Sequence, residues 1–190
     1  NMSNSLTLLP NTSHVANKTG AVVAFNAVNK TLVTSDTGII AFSDFTDGDI
    51  VVITGSGSND GTYTVSGTST ATTMTVLEDV TTEVEGATIV VDYQGTTGTK
   101  QKADGYYGYT DGLHTAAYTL NAFVGTVKIQ GTLVKEPTVS DWFDITGTTA
   151  TYATAETSTT GYNFTGNFIW VRAVVTGMTE GSVTKILYNF

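Results

Sequence analysis

The residue types that most often carry catalysis, histidine and cysteine, are almost missing from this 190-residue chain. There is no cysteine, which removes thiol nucleophiles, disulfide frameworks and Cys-ligated zinc together. The two histidines, His14 and His114, are far apart in sequence and leave little room for a histidine-based metal site. His114 follows Asp111 by three residues, and Ser140 and Asp141 come later, so a nucleophile–base–acid trio can be written on paper. No G-x-S-x-G elbow or P-loop sequence accompanies it, and a lone histidine in a strand is ordinarily a surface or packed residue. Asp141 and Asp144 flank Trp142 and Phe143. Three residues apart on a strand, they point to opposite faces and do not converge as a glycosidase pair must. The expectation is a protein that is not an enzyme and uses no cofactor.

Binding chemistry is better represented. Asp44, Asp47 and Asp49 crowd one turn, and hard carboxylate oxygens suit calcium. Their D-x-x-D-x-D spacing does not match an EF-hand loop, and Asp47-Gly48-Asp49 is also a good turn formula. The turn reading leads, with calcium as the minor one. Glu78, Asp79, Glu83 and Glu85 read as a solvated acidic loop. Tyr106, Tyr107, Tyr109, Trp142 and Trp170 could form a sugar-stacking platform. The tryptophans, however, sit among Phe143, Ile145, Phe168, Ile169 and Val171, as residues filling a sandwich core do. The tyrosines are Gly-spaced and fit either interdomain packing or a contact surface.

The elements that must position these groups are strands. The chain holds 39 threonines, 12 serines and 20 glycines, against nine leucines, seven lysines and a single arginine. Threonine, valine and tyrosine suit a pleated surface, and straight-chain helix formers are scarce. The net charge is −9, split as two lysines against ten acids in residues 1–93 and six basic residues against seven acids in 94–190. Nothing resembles a basic stripe, so nucleic-acid binding is disfavoured. No apolar run is long enough to span a membrane, and the first residues lack the basic-then-apolar pattern of a signal peptide.

Turn residues divide the chain. Residues 1–20 show no period of two or 3.6 and read as an arm, with an apolar knot of Leu6, Leu8, Leu9 and Pro10. This knot is the expected assembly contact, laid along a neighbouring subunit. Residues 21–93 carry short strands, among them Ile39–Phe42 and Ile50–Thr54, able to close a small β-barrel. Residues 94–104, QGTTGTKQKAD, hold no large apolar side chain and read as a linker. Residues 105–190 carry longer strands, with Val127, Ile129 and Leu133 on one face of one of them, and fit an antiparallel jelly-roll-like β-sandwich. The expected fold class is all-β.

Two stretches carry a resemblance. Phe42, Gly48-Asp49, Ile50, Thr54-Gly55-Ser56, Asn59–Val65 and the strand TTMTV resemble a small β domain recurrent in tailed-phage virion proteins. GYYGYTDGLHTAAYTLNAFVGTVKIQGTL, DWFDI, GNFIWVRAVV and KILYN are similar to a β-sandwich module of structural proteins in large marine and cyanobacterial phages. The resemblance implies a non-enzymatic virion building block assembled in the host cytoplasm. It would be a capsid decoration or cement protein, or a head or neck fibre component. Its implied partners are major capsid or neck and tail proteins and further copies of itself, a trimer being favoured by analogy. The alternative is a receptor- or glycan-binding appendage.

Overall fold

The computed structural model of the chain describes residues 5–190. With 55 % strand against 3 % helix, the fold is all-β. In chain order the strands are β1 (Leu6–Leu9), β2 (Thr12–Ser13), β3 (Lys18–Gly20), β4 (Val23–Asn26), β5 (Thr31–Thr34), β6 (Asp49–Thr54) and β7 (Gly61–Thr64). They continue as β8 (Thr73–Thr75), β9 (Ile89–Thr97), β10 (Gln101–Lys102), β11 (Leu113–Thr132), β12 (Phe143–Asp144), β13 (Ala150–Thr165) and β14 (Trp170–Asn189). Two compact units result. Val15–Thr96 forms an inserted unit, and residues 5–14 join Thr97–Phe190 as a flanking unit.

In the inserted unit, β3, β9, β6 and β7 are antiparallel neighbours, and β4, β5 and β8 make a second sheet. A bridge between Val65 and Val76 links the ends of β7 and β8, giving a small barrel-like arrangement. Val51 and Ile53 of β6 are fully buried, while Ile50 and Val52 on the other face are half-buried. The expected strand at Ile39–Phe42 is instead a turn, in which the amides of Ile39 and Ile40 both donate to the Asp36 carbonyl, at 3.2 and 3.1 Å. The turn drops Ile40 and Phe42 into the core and leaves Ile39 outside.

Three long antiparallel strands, β13, β11 and β14, lie side by side in the flanking unit. The inward side of β11 begins on even positions (His114, Ala116, Tyr118, Leu120) and continues on odd ones (Phe123, Val127, Ile129). A bulge at Asn121–Ala122 makes the change, with Ala122 at φ 47°. An extra residue in one strand reverses the parity of the side chains, so the buried face survives. Leu133, expected on that face, is exposed, because the pairing with β14 ends at Thr132.

Two expected boundaries are revised. Ser5–Gly20 is not an arm: β1 pairs with β14 of the same chain, through Leu6 with Tyr188 and Leu9 with Ile186. A bulge between Thr7 and Leu9 turns consecutive leucines, Leu8 and Leu9, both inward, which hides any simple period from the sequence. Pro10 is exposed just after the strand ends. Asn1–Asn4 of the expected arm lie outside the described residues. Nor is 94–104 a linker, since β9 runs through Thr97 and β10 pairs with β14. Backbone pairing holds this segment without large side chains. The Gly98 amide donates to the Ala173 carbonyl at 2.8 Å, and Thr96, Ala103 and Asp104 are buried.

Candidate binding face

On β14, Val171, Ala173 and Val175 face the core, so Trp170 and Arg172 project from the opposite side. Strand register then assembles a row. Lys102 of β10 stands opposite Trp170, Gln130 of β11 opposite Arg172, and Asp144 of β12 opposite Gln130. Directly opposed residues in an antiparallel sheet share a face, so all of these groups lie on one surface.

Rings and cations alternate along it. The Lys100 ammonium lies 4.5 Å from the centre of the Trp170 ring, and that of Lys102 lies 4.2 Å from the centre of Tyr106. The Arg172 guanidinium sits 4.1 Å from the centre of Trp142. Its Nε and Nη2 both donate to Gln130 Oε1, at 3.0 and 2.8 Å, which fixes its plane. Burial lowers the pKa of this guanidinium from its ordinary value. Lys128 donates to Asp144 at 2.8 Å and closes the far end, with Gln130 as a second donor to that carboxylate. Those bonds, the lysine's first, hold Asp144 below the usual carboxylate range.

The rings form a chain of their own. Tyr106 and Trp170 have centroids 4.9 Å apart, Tyr106 and Tyr107 5.4 Å, and Tyr107 and Tyr109 5.8 Å in a stacked pair. Tyr107 and Tyr109 are more than half exposed. The core reading for the tryptophans is therefore revised. Neither belongs to the fully buried set, and the Trp170 indole N–H donates outward to the Lys135 carbonyl at 2.9 Å. A sequence signal for this was present: Trp170 and Arg172 share one parity while Ile169, Val171, Ala173 and Val175 take the other.

His114 is fully buried and linked to no serine. Its Nε2 is 2.8 Å from the Gly166 carbonyl, which can only accept, so that nitrogen carries the proton. Nδ1 lies 2.8 Å from the Tyr188 hydroxyl. Buried Asp104 stands 3.4 Å from Nε2 through Oδ1, an oxygen that also accepts from the Phe168 amide at 3.2 Å. Burial, with Asp104 nearby, pushes the Tyr188 phenol far above its ordinary range. Asp111 instead accepts from the Gly112 amide, and Ser140 and Asp141 bond Thr138 in a separate 3-10 turn. Asp141 and Asp144 thus have separate partners. A cleft of about 620 Å³ opens beside this network, lined by Leu113, Phe143, Phe164 and Phe168 and by the polar Asp144 and Asn163. Its polar neighbour Asn163 already accepts from Thr115.

The acids of the inserted unit are individually employed. Asp44 pairs with Lys18, Asp47 accepts from the Gly67 amide, and buried Asp49 accepts from the Thr46 amide at 2.8 Å. Among the described residues no group of three or more acids and histidines could hold a metal ion. The stretch 78–85 is an irregular segment with Asp79 and Glu85 exposed, and its acids also act as clips. Glu83 receives the Gly57 and Ser58 amides and Asn59 Nδ2, Glu78 receives Thr64, Asp79 pairs with Lys30, and Glu85 receives Ser35. No sequence period marks these long-range acceptors.

Neither the family models nor the curated proteins compared with this chain give a match.

Proposed function

We propose that the chain is a non-enzymatic structural protein of a tailed-phage virion that works through protein–protein contacts. It would serve as a capsid decoration or cement protein, or as a head or neck fibre component. The resemblance of both halves to phage virion modules supports this reading, and β13 is the observation that carries it. This 16-residue strand pairs only with β11 among the described residues. Its other edge is open and holds one charged residue, Glu156, and no lysine or proline. Monomeric proteins ordinarily blunt such an edge, because its unpaired backbone groups template another strand. A neighbour in an assembly, of its own or another kind, satisfies them by strand addition.

Copy number per major capsid protein in purified particles tests the role. Hundreds of copies indicate decoration, about a dozen or fewer a neck or tail position, and none overturns the reading. Ala153→Lys with Ala155→Lys places charge along the exposed strand without removing a side-chain hydrogen bond. It should block incorporation while the folded spectrum is kept.

A second reading, a receptor- or glycan-binding appendage, is favoured by the ring row running from Tyr109 to Trp170. The two readings are compatible in a virion surface protein.

A further inference from the structure

We propose that the ring-and-cation face of β10, β14, β11 and β12 binds a glycan bearing carboxylates, such as a uronate- or sialate-containing chain; this deepens the glycan-binding reading above. Three cations on this face, Lys100, Lys102 and Arg172, have no carboxylate partner among the described residues. Of the eight basic residues five make no ion pair among the described residues, and three of those five gather on this one face. Each cation is instead held on a ring, at 4.5, 4.2 and 4.1 Å from the centroids of Trp170, Tyr106 and Trp142. That arrangement keeps the charge desolvated on one side and presents it on the other.

The rings supply the second half of the recognition. Trp170, Tyr106, Tyr107 and Tyr109 follow one another at centroid spacings of 4.9, 5.4 and 5.8 Å. The first two junctions are tilted and edge-on, at 59° and 72°, so the flat part of this track is the exposed, stacked pair of Tyr107 and Tyr109. The C–H faces of sugar rings lie against such a track, while carboxylates on the same sugars meet the lysines. Arg172, fixed by Gln130 and stacked on Trp142, contributes a donor of set direction. A neutral glycan would use the rings and leave the cations idle. Nucleic acid would satisfy the cations, but its dense backbone charge works against the chain's net charge of −9.

The test titrates the full chain by calorimetry with four probes: an oligogalacturonate, its methyl ester, a sialyl oligosaccharide and a single-stranded oligothymidylate. Binding is expected for at least one carboxylate-bearing probe, weakening as salt is raised. If the oligogalacturonate binds, its ester should bind at least tenfold more weakly. Lys100→Gln with Lys102→Gln should cost at least tenfold, and Tyr107→Ala should weaken binding independently of charge. Trp170→Ala should abolish it, with circular dichroism checking that the variant is folded and Tyr107→Ala serving if it is not. Failure of both carboxylate-bearing probes to bind overturns the proposal. Equal affinity for oligogalacturonate and its ester overturns the anionic assignment but leaves a glycan-binding face. Tighter binding of the oligothymidylate assigns the face to nucleic acid and overturns it. None of these outcomes bears on incorporation into particles, which is read separately by copy number.

Discussion

Nδ1 of His114 and the hydroxyl of Tyr188 lie 2.8 Å apart, with both side chains closed off from solvent. The pair follows from register: Ala116 stands opposite Tyr188, so His114, two residues earlier on the same face, reaches the same layer. Phe164 stacks on the imidazole at 5.1 Å and 14°, completing a packed set whose function is cohesion. Tyr188→Phe leaves a buried ring nitrogen without its donor and should cost about 1–3 kcal/mol. His114→Ala also opens a cavity and should cost about 2–5 kcal/mol. Urea denaturation measures both, and glycan affinity of the folded His114 variant should be unchanged.

β1 is expected to be part of the folded unit. Leu8 is fully buried and Leu9 nearly so, against β14 of the same chain. Leu8→Ala should cost about 2–5 kcal/mol. An unchanged denaturation midpoint would mean that β1 detaches in solution and behaves as an arm after all.

Gly181 has φ 71°, and a Cβ there would lie 2.1 Å from the Ala122 carbonyl oxygen. Its partner across the bulge, Ala122, already occupies the left-handed region at φ 47°. Gly181→Ala must therefore move one strand away from the other and should destabilise by more than about 2 kcal/mol. Ala122→Gly is expected to be tolerated. Thermal melts of the two variants should separate clearly.

Asp49 gives a pH dependence of definite sign. Burial raises its pKa above the ordinary 3.8, outweighing hydrogen bonds from Thr46 and Thr96. The native state then holds this proton more tightly than the unfolded chain does. Stability from this group is greatest in acid, declines as pH rises from about 3.8 through the raised native value, and is flat above it. Asp49→Asn cannot ionise and lacks the decline. Denaturation midpoints of the two proteins between about pH 3 and 7 should diverge with a slope that favours the wild type at the acid end. Parallel curves would show that Asp49 is solvated in the native state.

Composition alone established the all-β fold, since β-branched threonine and valine dominate and straight-chain helix formers are few. Alternation located only the end of β14, where Ile186 and Tyr188 oppose Lys185 and Leu187; residues 179–182 read as a turn in the sequence, yet the strand runs through them. Alternation also located the second half of β11 through Val127 and Ile129, because a half-buried strand writes its faces into neighbouring residues. It could not locate most of β13. ATYATAETSTTG has little apolar alternation, and the strand exists because β11 offers it a backbone partner. β1 escaped for a related reason, its two inward leucines being consecutive across a bulge. The His114 network and the clips made by Glu83 and Glu78 depend on partners brought from distant parts of the chain. The binding face depends on the same thing. Lys102, Trp170, Gln130 and Asp144 become neighbours only through register between strands. Local residue preferences determined that this chain would be built of strands and which faces several of them would bury. Tertiary pairing decided which strands met, and with them which rings and cations share a surface.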